Sequence, residues 1–465
     1  VFSGGWTLEA AEAVCADDEI QTSEVLDTLT RLVEKSLVVL DERGAEPRYR
    51  MLEMIRQYGH EKLSEARSVE TLYERHLQYY VGVAESLEPH FYHPDQKHWY
   101  VKADVELDNI RGALEWSLTG RKTDDGMRLV SALHRYWVAR VYWIEATTWF
   151  QRLFAAAEGE NPTPLHAKAR FVAGHITNYY DLVAAPRFGE ESLRMARSLD
   201  YKQGIVNALW LMGWCHTPKL DGSALPYFEE SIELARAIDY PWGAAHALAW
   251  CGVYKIGIGD YQAAVPLLQG GRIQADRLGG DNSLMGRCDG NLGLIALLQG
   301  DYAAARSYLD RSLALQIEAG NKNGTAESLW LQGRLALRQG DHVRAVGYFV
   351  QSLKLYQLYP HSLWVTRGLA YLTITYASCG QARLAAQIAG VLNNDGNGPQ
   401  STNAHLASLV AISEYEAALA LTQTQTGTEF EAALRAGRTM SREQAIAFVS
   451  GHTHSDFQAP GVEVA

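Results

Sequence analysis

The 465-residue chain carries 54 acidic and 42 basic residues, a formal net charge of −12, with 47% hydrophobic and 21% charged residues. It is too long for one ordinary core, so several domains or a repeat array are expected, and the composition excludes a disordered or membrane-embedded chain. The acidic balance weighs against nucleic-acid binding along the whole chain. No apolar run reaches the ~18–20 residues of a bilayer span, and the start lacks a basic region followed by an apolar stretch. Five scattered cysteines (Cys15, Cys215, Cys251, Cys288, Cys379) show no CxxC spacing, which argues against a disulfide framework and fits a reducing cytoplasm. The first residue is Val1, which reads as a fragment or one end of a longer polypeptide.

In chain order, residues 1–66 read as a small winged-helix domain. The pattern predicts helices over Thr7–Cys15 and Ser23–Lys35, the second with Val25, Leu26, Leu29, Leu32 and Val33 on its apolar side. A strand over Ser36–Leu40, a polar turn over Asp41–Pro47, a returning strand over Tyr49–Leu52 and a helix over Glu53–Leu63 follow. Between Gln21 and Leu63 there are seven basic and eight acidic residues. A DNA reader presents a basic face, so packing within the molecule is favoured over DNA contact. Residues 67–126 read as a helical linker.

From residue 127 to 391 the chain repeats. A small residue recurs at Gly174, Gly213, Gly252, Gly293, Gly333 and Thr373, at spacings of 39, 39, 41, 40 and 40. A turn signal follows it at Gly259-Asp260, Gly300-Asp301 and Gly340-Asp341, with Gly380-Gln381 as a weaker copy. Glycine suits the left-handed end of one helix and aspartate the cap of the next. Twelve residues past the register position stand Ala264, Ala305, Ala345 and Ala385, and a second small position recurs at Ser192, Ser231, Gly271, Ser312 and Ser352. The expected fold is mainly α: a right-handed superhelix of helical hairpins of ~40 residues, tetratricopeptide-like but longer than the usual ~34. Residues 127–160 read as an earlier, divergent unit, and residues 392–465 as C-terminal helices (402–422 and 428–450) and a tail, after the loop signal Asn393–Pro399.

Three stretches stand out: Gly4–Glu12 with Leu32–Leu37, Tyr49–Tyr58, and Glu106–Trp116. Together they resemble the bacterial STAND regulators, relatives of the maltose-regulon activator that join a P-loop ATPase, a winged helix and a helical-repeat sensor. The resemblance implies a sensor whose repeats bind an inducer, a small molecule or a protein or peptide, and which relays to an upstream P-loop ATPase on the same or a separate chain. It also implies a role in signal transduction or transcription regulation. No G-x-x-x-x-G-K-[ST] loop occurs, and Gly320-Asn321-Lys322-Asn323-Gly324-Thr325 places its lysine before the second glycine. ATP hydrolysis by this chain is not expected. The stretches Phe430–Arg438 and Ser441–Ala445 resemble those that precede a DNA-binding helix-turn-helix, with too few residues after them to form one. A DNA-binding transcription factor acting through the winged helix is the alternative.

Aromatic residues cluster on the first helices of the repeats, at Tyr179, Tyr180, Trp210, Trp214, Trp250, Tyr254, Trp330 and Trp364. Tyr179, Tyr180, Trp214, His216, Trp250 and Tyr254 are the groove candidates for ligand binding, against packing between hairpins for most of the aromatics. Cys215, His216 and Cys251 fall near the register positions of adjacent units without completing a metal-ligand set, and His452 and His454 lie in the tail. No nucleophile motif or zincin spacing is present, so no catalytic residue, cofactor or metal is expected.

Overall fold

The computed structural model describes residues 1–17, 20–43, 46–65, 69–357, 363–392 and 409–452. The loop signal at Asn393–Pro399, the start of the helix expected at 402 and the tail with His454 lie outside the described residues. The chain divides into two compact units, one of residues 1–91, 95–136 and 144–169, the other of 92–94, 137–143 and 170–465.

In the first unit, β1 (Gly5–Trp6), α1 (Leu8–Cys15), α2 (Thr22–Glu34), β2 (Val38–Asp41), β3 (Arg48–Met51) and α3 (Glu53–Glu65) follow the winged-helix order. Thr7 caps α1 by accepting the Ala10 N–H at 3.1 Å, and Gln21 opens α2 with a capping box completed by Glu24. The sheet order is β1-β3-β2, both pairs antiparallel, with Gly5 opposite Arg50 and Val39 also opposite Arg50. β1 is an addition to the expected elements: two residues are too short for an alternation to be visible, and they form a strand only through β3. The long helices α4 (Val69–Leu87) and α5 (Gln96–Thr119) pack on each other, and α6 (Thr123–Ala132), α7 (His134–Ala139), α8 (Trp143–Ala156) and α9 (Pro164–Thr177) follow.

The second unit is a file of hairpins. They are formed by α9 with α10 (Ala185–Ser198), α11 (Lys202–His216) with α12 (Leu225–Ala237), and α13 (Pro241–Gly257) with α14 (Tyr261–Arg277). The next three are α15 (Asn282–Leu298) with α16 (Tyr302–Glu318), α17 (Lys322–Arg338) with α18 (His342–Leu355), and α19 (Leu363–Ser378) with α20 (Ala382–Leu392). Each register glycine leaves room for one large side chain of the partner helix. A Cβ at Gly213 would sit 2.6 Å from Phe228, at Gly252 2.8 Å from Leu268, at Gly293 2.6 Å from Leu309 and at Gly333 2.6 Å from Phe349. At the second small position the hydroxyls of Ser231, Ser312 and Ser352 donate to the carbonyls of Val206, Gly286 and Ala326 at 2.9, 2.7 and 2.7 Å. The two small positions therefore do different work: one admits a knob, the other ties the second helix to the backbone of the first.

The turns follow the same economy of residues. Gly259, Gly300, Gly340 and Gly380 all take left-handed φ between 76° and 80°. Asp260, Asp301 and Asp341 then accept the N–H groups of Ala263, Ala304 and Arg344 at 3.2, 3.0 and 3.0 Å. The helix expected over 428–450 is interrupted. α21 (Leu409–Thr426) and α22 (Phe430–Arg438) precede α23 (Arg442–Gly451), which starts afresh because Ser441 and Gln444 form a capping box at 3.2 and 2.8 Å.

Candidate ligand-binding wall

The first helices of the hairpins touch in file, α11 on α13, α13 on α15, α15 on α17 and α17 on α19, and so form one wall of the repeat unit. Six residues before each register position the sequence is polar in every repeat: Lys168, Asn207, His246, Arg287, Glu327 and Arg367. Helices stacked in register place such a column along one face.

Beside this column runs a continuous line of rings and guanidinium groups. The Trp214 and Trp250 rings stack at 4.1 Å, and Tyr179 meets the edge of Trp214 at 5.1 Å. Arg287 lies over Trp250 at 5.1 Å and donates to the Tyr179 hydroxyl at 3.3 Å. Trp143 stacks on Tyr179 at 5.1 Å and tilts against Tyr356 at 5.9 Å, and Tyr356 stacks on Trp364 at 5.8 Å. Arg367 sits over both Trp330 and Trp364, at 3.9 and 5.0 Å, and Arg334 over Trp330 and Tyr371, at 4.9 and 5.2 Å.

Most of these rings are buried, whereas Arg287, Glu327 and Arg367 are half-buried and keep part of their surface exposed. Burial pulls the Arg367 guanidinium down to about 10, with Glu327 opposing the shift, so it stays charged at neutral pH. Cations stacked on indoles bind through ring faces while their N–H groups stay available to an acceptor. Next to Arg334 and Tyr371, a cavity of about 400 Å³ opens between α17, α19 and α21, walled by Leu337, Ile374 and Leu421, with the Arg338–Glu414 ion pair in its lining.

Of the residues expected in a groove, Tyr179, Trp214 and Trp250 meet in this wall. Tyr254 does not; its hydroxyl accepts the Gly222 N–H at 3.0 Å and holds the loop before α12. His216 turns to its own helix, with Nδ1 2.9 Å from the Met212 carbonyl and its ring 5.1 Å from Tyr227. Tyr180 is half-buried just beyond α9. Trp210 packs against Phe171 and His246 at 5.2 and 5.0 Å, whereas Trp330 both packs and carries two arginines. Sequence reasoning missed Trp143, Arg287, Arg334, Tyr356 and Arg367; the polar column six residues before the register would have found Arg287 and Arg367.

Cys215 donates to Asn178 Oδ1 at 3.4 Å. Burial pushes the Cys215 and Cys288 thiols up to about 12 and that of Cys251 to about 11, so these three are protonated and unreactive near neutrality. His452 folds back on its own helix, Nδ1 2.8 Å from the Phe448 carbonyl.

A second constellation lies in the first unit, where residues of the first and third stretches singled out in the sequence meet Arg48, the residue just before the second. Asn109 donates to the Gly5 carbonyl at 2.8 Å and accepts the Ser3 N–H at 2.8 Å, pinning β1 from both sides. Arg48, at the start of β3, donates to the same Gly5 carbonyl at 2.6 Å and pairs with Glu106, which also accepts from Tyr80 at 3.2 Å. Arg111 binds Glu145 at 2.6 and 2.8 Å. The motif Glu106–Trp116 is thus a polar lock that holds the winged helix to α5.

The class these features define is a winged helix followed by tetratricopeptide-like repeats. Residues 1–64 match the winged helix-turn-helix domain family and residues 284–357 the tetratricopeptide repeat family. The chain is 30% identical over 402 residues to a protein of Mycobacterium tuberculosis (strain ATCC 25618 / H37Rv) whose name describes an HTH-type transcriptional regulator. A protein of the same description from Mycobacterium bovis (strain ATCC BAA-935 / AF2122/97) matches equally. The alignment takes in 83% of this chain and 44% of the relative, so the chain spans less than half the length of the relatives it matches. Among solved structures it is similar to the signal transduction ATPase with numerous domains (STAND) protein with a tetratricopeptide repeat sensor from Pyrococcus horikoshii. The TM-score is 0.50 at 14% identity, covering 93% of this chain and 62% of that one. That likeness establishes the fold. Among the described residues no helix is long and apolar enough to cross a membrane.

Proposed function

We propose that this chain is the non-catalytic sensor and protein-interaction module of a bacterial signal-transduction or transcriptional regulator. In this reading, an inducer or protein partner binds at the wall of the repeat groove, and the winged helix relays that event to an attached P-loop ATPase in the cytoplasm. The observation that carries it is the unbroken line of rings and arginines from Trp250 to Tyr371, with Arg287 and Arg367 half-buried upon it. Rigid aromatics supply contact area at low entropic cost, and stacked arginines supply directional donors. The descriptions of the mycobacterial relatives and of the Pyrococcus protein support the assignment to regulation.

DNA binding through the winged helix is the competing reading, and charge speaks against it. α2, which occupies the place of a recognition helix, carries Glu24, Asp27 and Glu34 against Arg31 alone. A ligand screen by thermal shift on the whole chain tests the proposal. A metabolite or peptide that raises the melting temperature, with affinity weakened at least about tenfold in both Arg287→Ala and Arg367→Ala, is the expected result. Absence of any shift, together with retardation of duplex DNA at low salt, would replace this reading with the other.

A further inference from the structure

Just after α8 the chain reads Ala157-Glu158-Gly159-Glu160-Asn161-Pro162-Thr163-Pro164-Leu165-His166. Gly159 takes a left-handed φ of 93° and turns the chain, and α9 begins at Pro164, a residue suited to the first helical position. Thr163 stands at the helix cap, where its Oγ1 accepts the His166 backbone N–H at 3.4 Å and lies 2.7 Å from His166 Nδ1. The ring is thereby fixed, and with the proton on Nδ1 the Nε2 lone pair points away from Thr163.

What Nε2 faces is two carboxylates: Glu160 Oε2 at 3.6 Å and Asp124 Oδ1, from the first turn of α6, at 3.8 Å. The His166 side chain is only 6% exposed, and Nε2 is buried with no hydrogen-bond partner. Glu160 is itself oriented, its other oxygen accepting the Thr123 hydroxyl at 3.3 Å. The three facing atoms lie within 4.8 Å of one another. The two distances from His166 are too long for hydrogen bonds. They are close to the roughly 3.4 Å between ligand atoms of a tetrahedral ion with bonds of about 2.1 Å. Two carboxylates beside a buried, unpartnered imidazole nitrogen carry a charge of −2 that a dication neutralises.

We infer that Asp124, Glu160 and His166 form a binding site for a divalent first-row metal ion of the zinc class, with one coordination position left to water. Thr163 and Thr123 are its positioning residues, one setting the imidazole tautomer and the other the carboxylate. The site joins the first turn of α6 to the first turn of α9. It is independent of the wall in the repeat unit and stands whether or not that wall binds a ligand.

The test uses the full chain after chelator dialysis, titrated with Zn²⁺ by calorimetry and with Co²⁺ in the visible range. One equivalent of Zn²⁺ should bind, and Co²⁺ should give d–d bands of a low-coordinate His/carboxylate site. His166→Gln should abolish both signals. Glu160→Gln and Asp124→Asn, at exposed positions that leave the metal-free circular dichroism unchanged, should each weaken uptake. Thr163→Val should lower affinity about 10- to 100-fold while Thr163→Ser retains it. No stoichiometric uptake by the wild-type chain, or an undiminished equivalent in His166→Gln, would overturn the assignment.

Discussion

The two compact units hold their helices together by opposite means. In the repeat unit the recurring device is local to each hairpin: a missing side chain at Gly213, Gly252, Gly293 or Gly333 admits one ring or leucine from the partner helix, and a serine hydroxyl at Ser231, Ser312 or Ser352 ties that helix back to the first. In the N-terminal unit it is a polar cluster. Arg48 and Asn109 both donate to the Gly5 carbonyl, across gaps of 43 and 104 residues along the chain, and Glu106 pairs with Arg48 and accepts from Asn109. A local device can be copied every forty residues because each copy needs only its own hairpin. A polar lock is made once, and it works only if every member is present.

The largest effect is expected at Trp143. Trp143→Ala removes a fully buried indole stacked on Tyr179 and packed against Tyr356 and should cost about 3–5 kcal/mol, read as a lower denaturant midpoint and faster amide exchange in the repeat unit. Acid comes next and strikes the N-terminal unit. Burial holds His76 and His134 down at about 3, so the unfolded chain takes up protons below pH 6.5 that the folded chain refuses. Their contribution is therefore complete above about pH 6.5 and is lost as pH falls toward 3, by about 3 kcal/mol per histidine at pH 4. Equilibrium unfolding between pH 7 and 4 checks this, and His76→Phe should flatten the slope by one proton.

Two smaller changes sharpen the contrast. Gly333→Val forces a branched side chain against Phe349 and should destabilise by about 1–3 kcal/mol, with the loss confined to neighbouring hairpins in hydrogen exchange. Asn109→Ala should cost about 1–3 kcal/mol by leaving the Ser3 N–H and part of the Gly5 carbonyl unsatisfied, with protection lost across β1 and β3. If Asn109→Ala loosens only α5 and leaves the sheet protected, the lock is not what holds the winged helix.

The same distinction explains what was legible in the amino-acid order. The repeat could be read because its requirements are short-range and recur: a small residue for a close approach, a Gly-Asp turn, a serine for a carbonyl. The winged helix could be read from alternation and turn residues, except for β1, which exists only by pairing with β3. The stretches that hold Gly5, Glu106 and Asn109 were visible but not as a lock, since nothing local announces that Asn109 will reach Gly5, and Arg48 fell just outside them. In the wall, Tyr179, Trp214 and Trp250 stood out as aromatics clustered around the first helices of the repeats. Trp143 did not, because it enters from a segment outside the repeat register. Arg287 and Arg367 share one register position, six residues before Gly293 and Thr373, but the residue there changes type from repeat to repeat, so no single residue marks the column.

Trp143 has one more consequence. In a linear stack of repeats each unit feels only its neighbours, and stability is close to a sum of nearest-neighbour terms. Here one indole touches Tyr179, just past the first hairpin's leading helix, and Tyr356, at the end of the fifth hairpin. Arg140, three residues earlier, donates to the Gly320 carbonyl at 3.1 Å. These contacts turn an open chain of couplings into a closed circuit. Fraying at one end must then be felt at the other, and anything that withdraws residues 137–143 would return the array to independent hairpins.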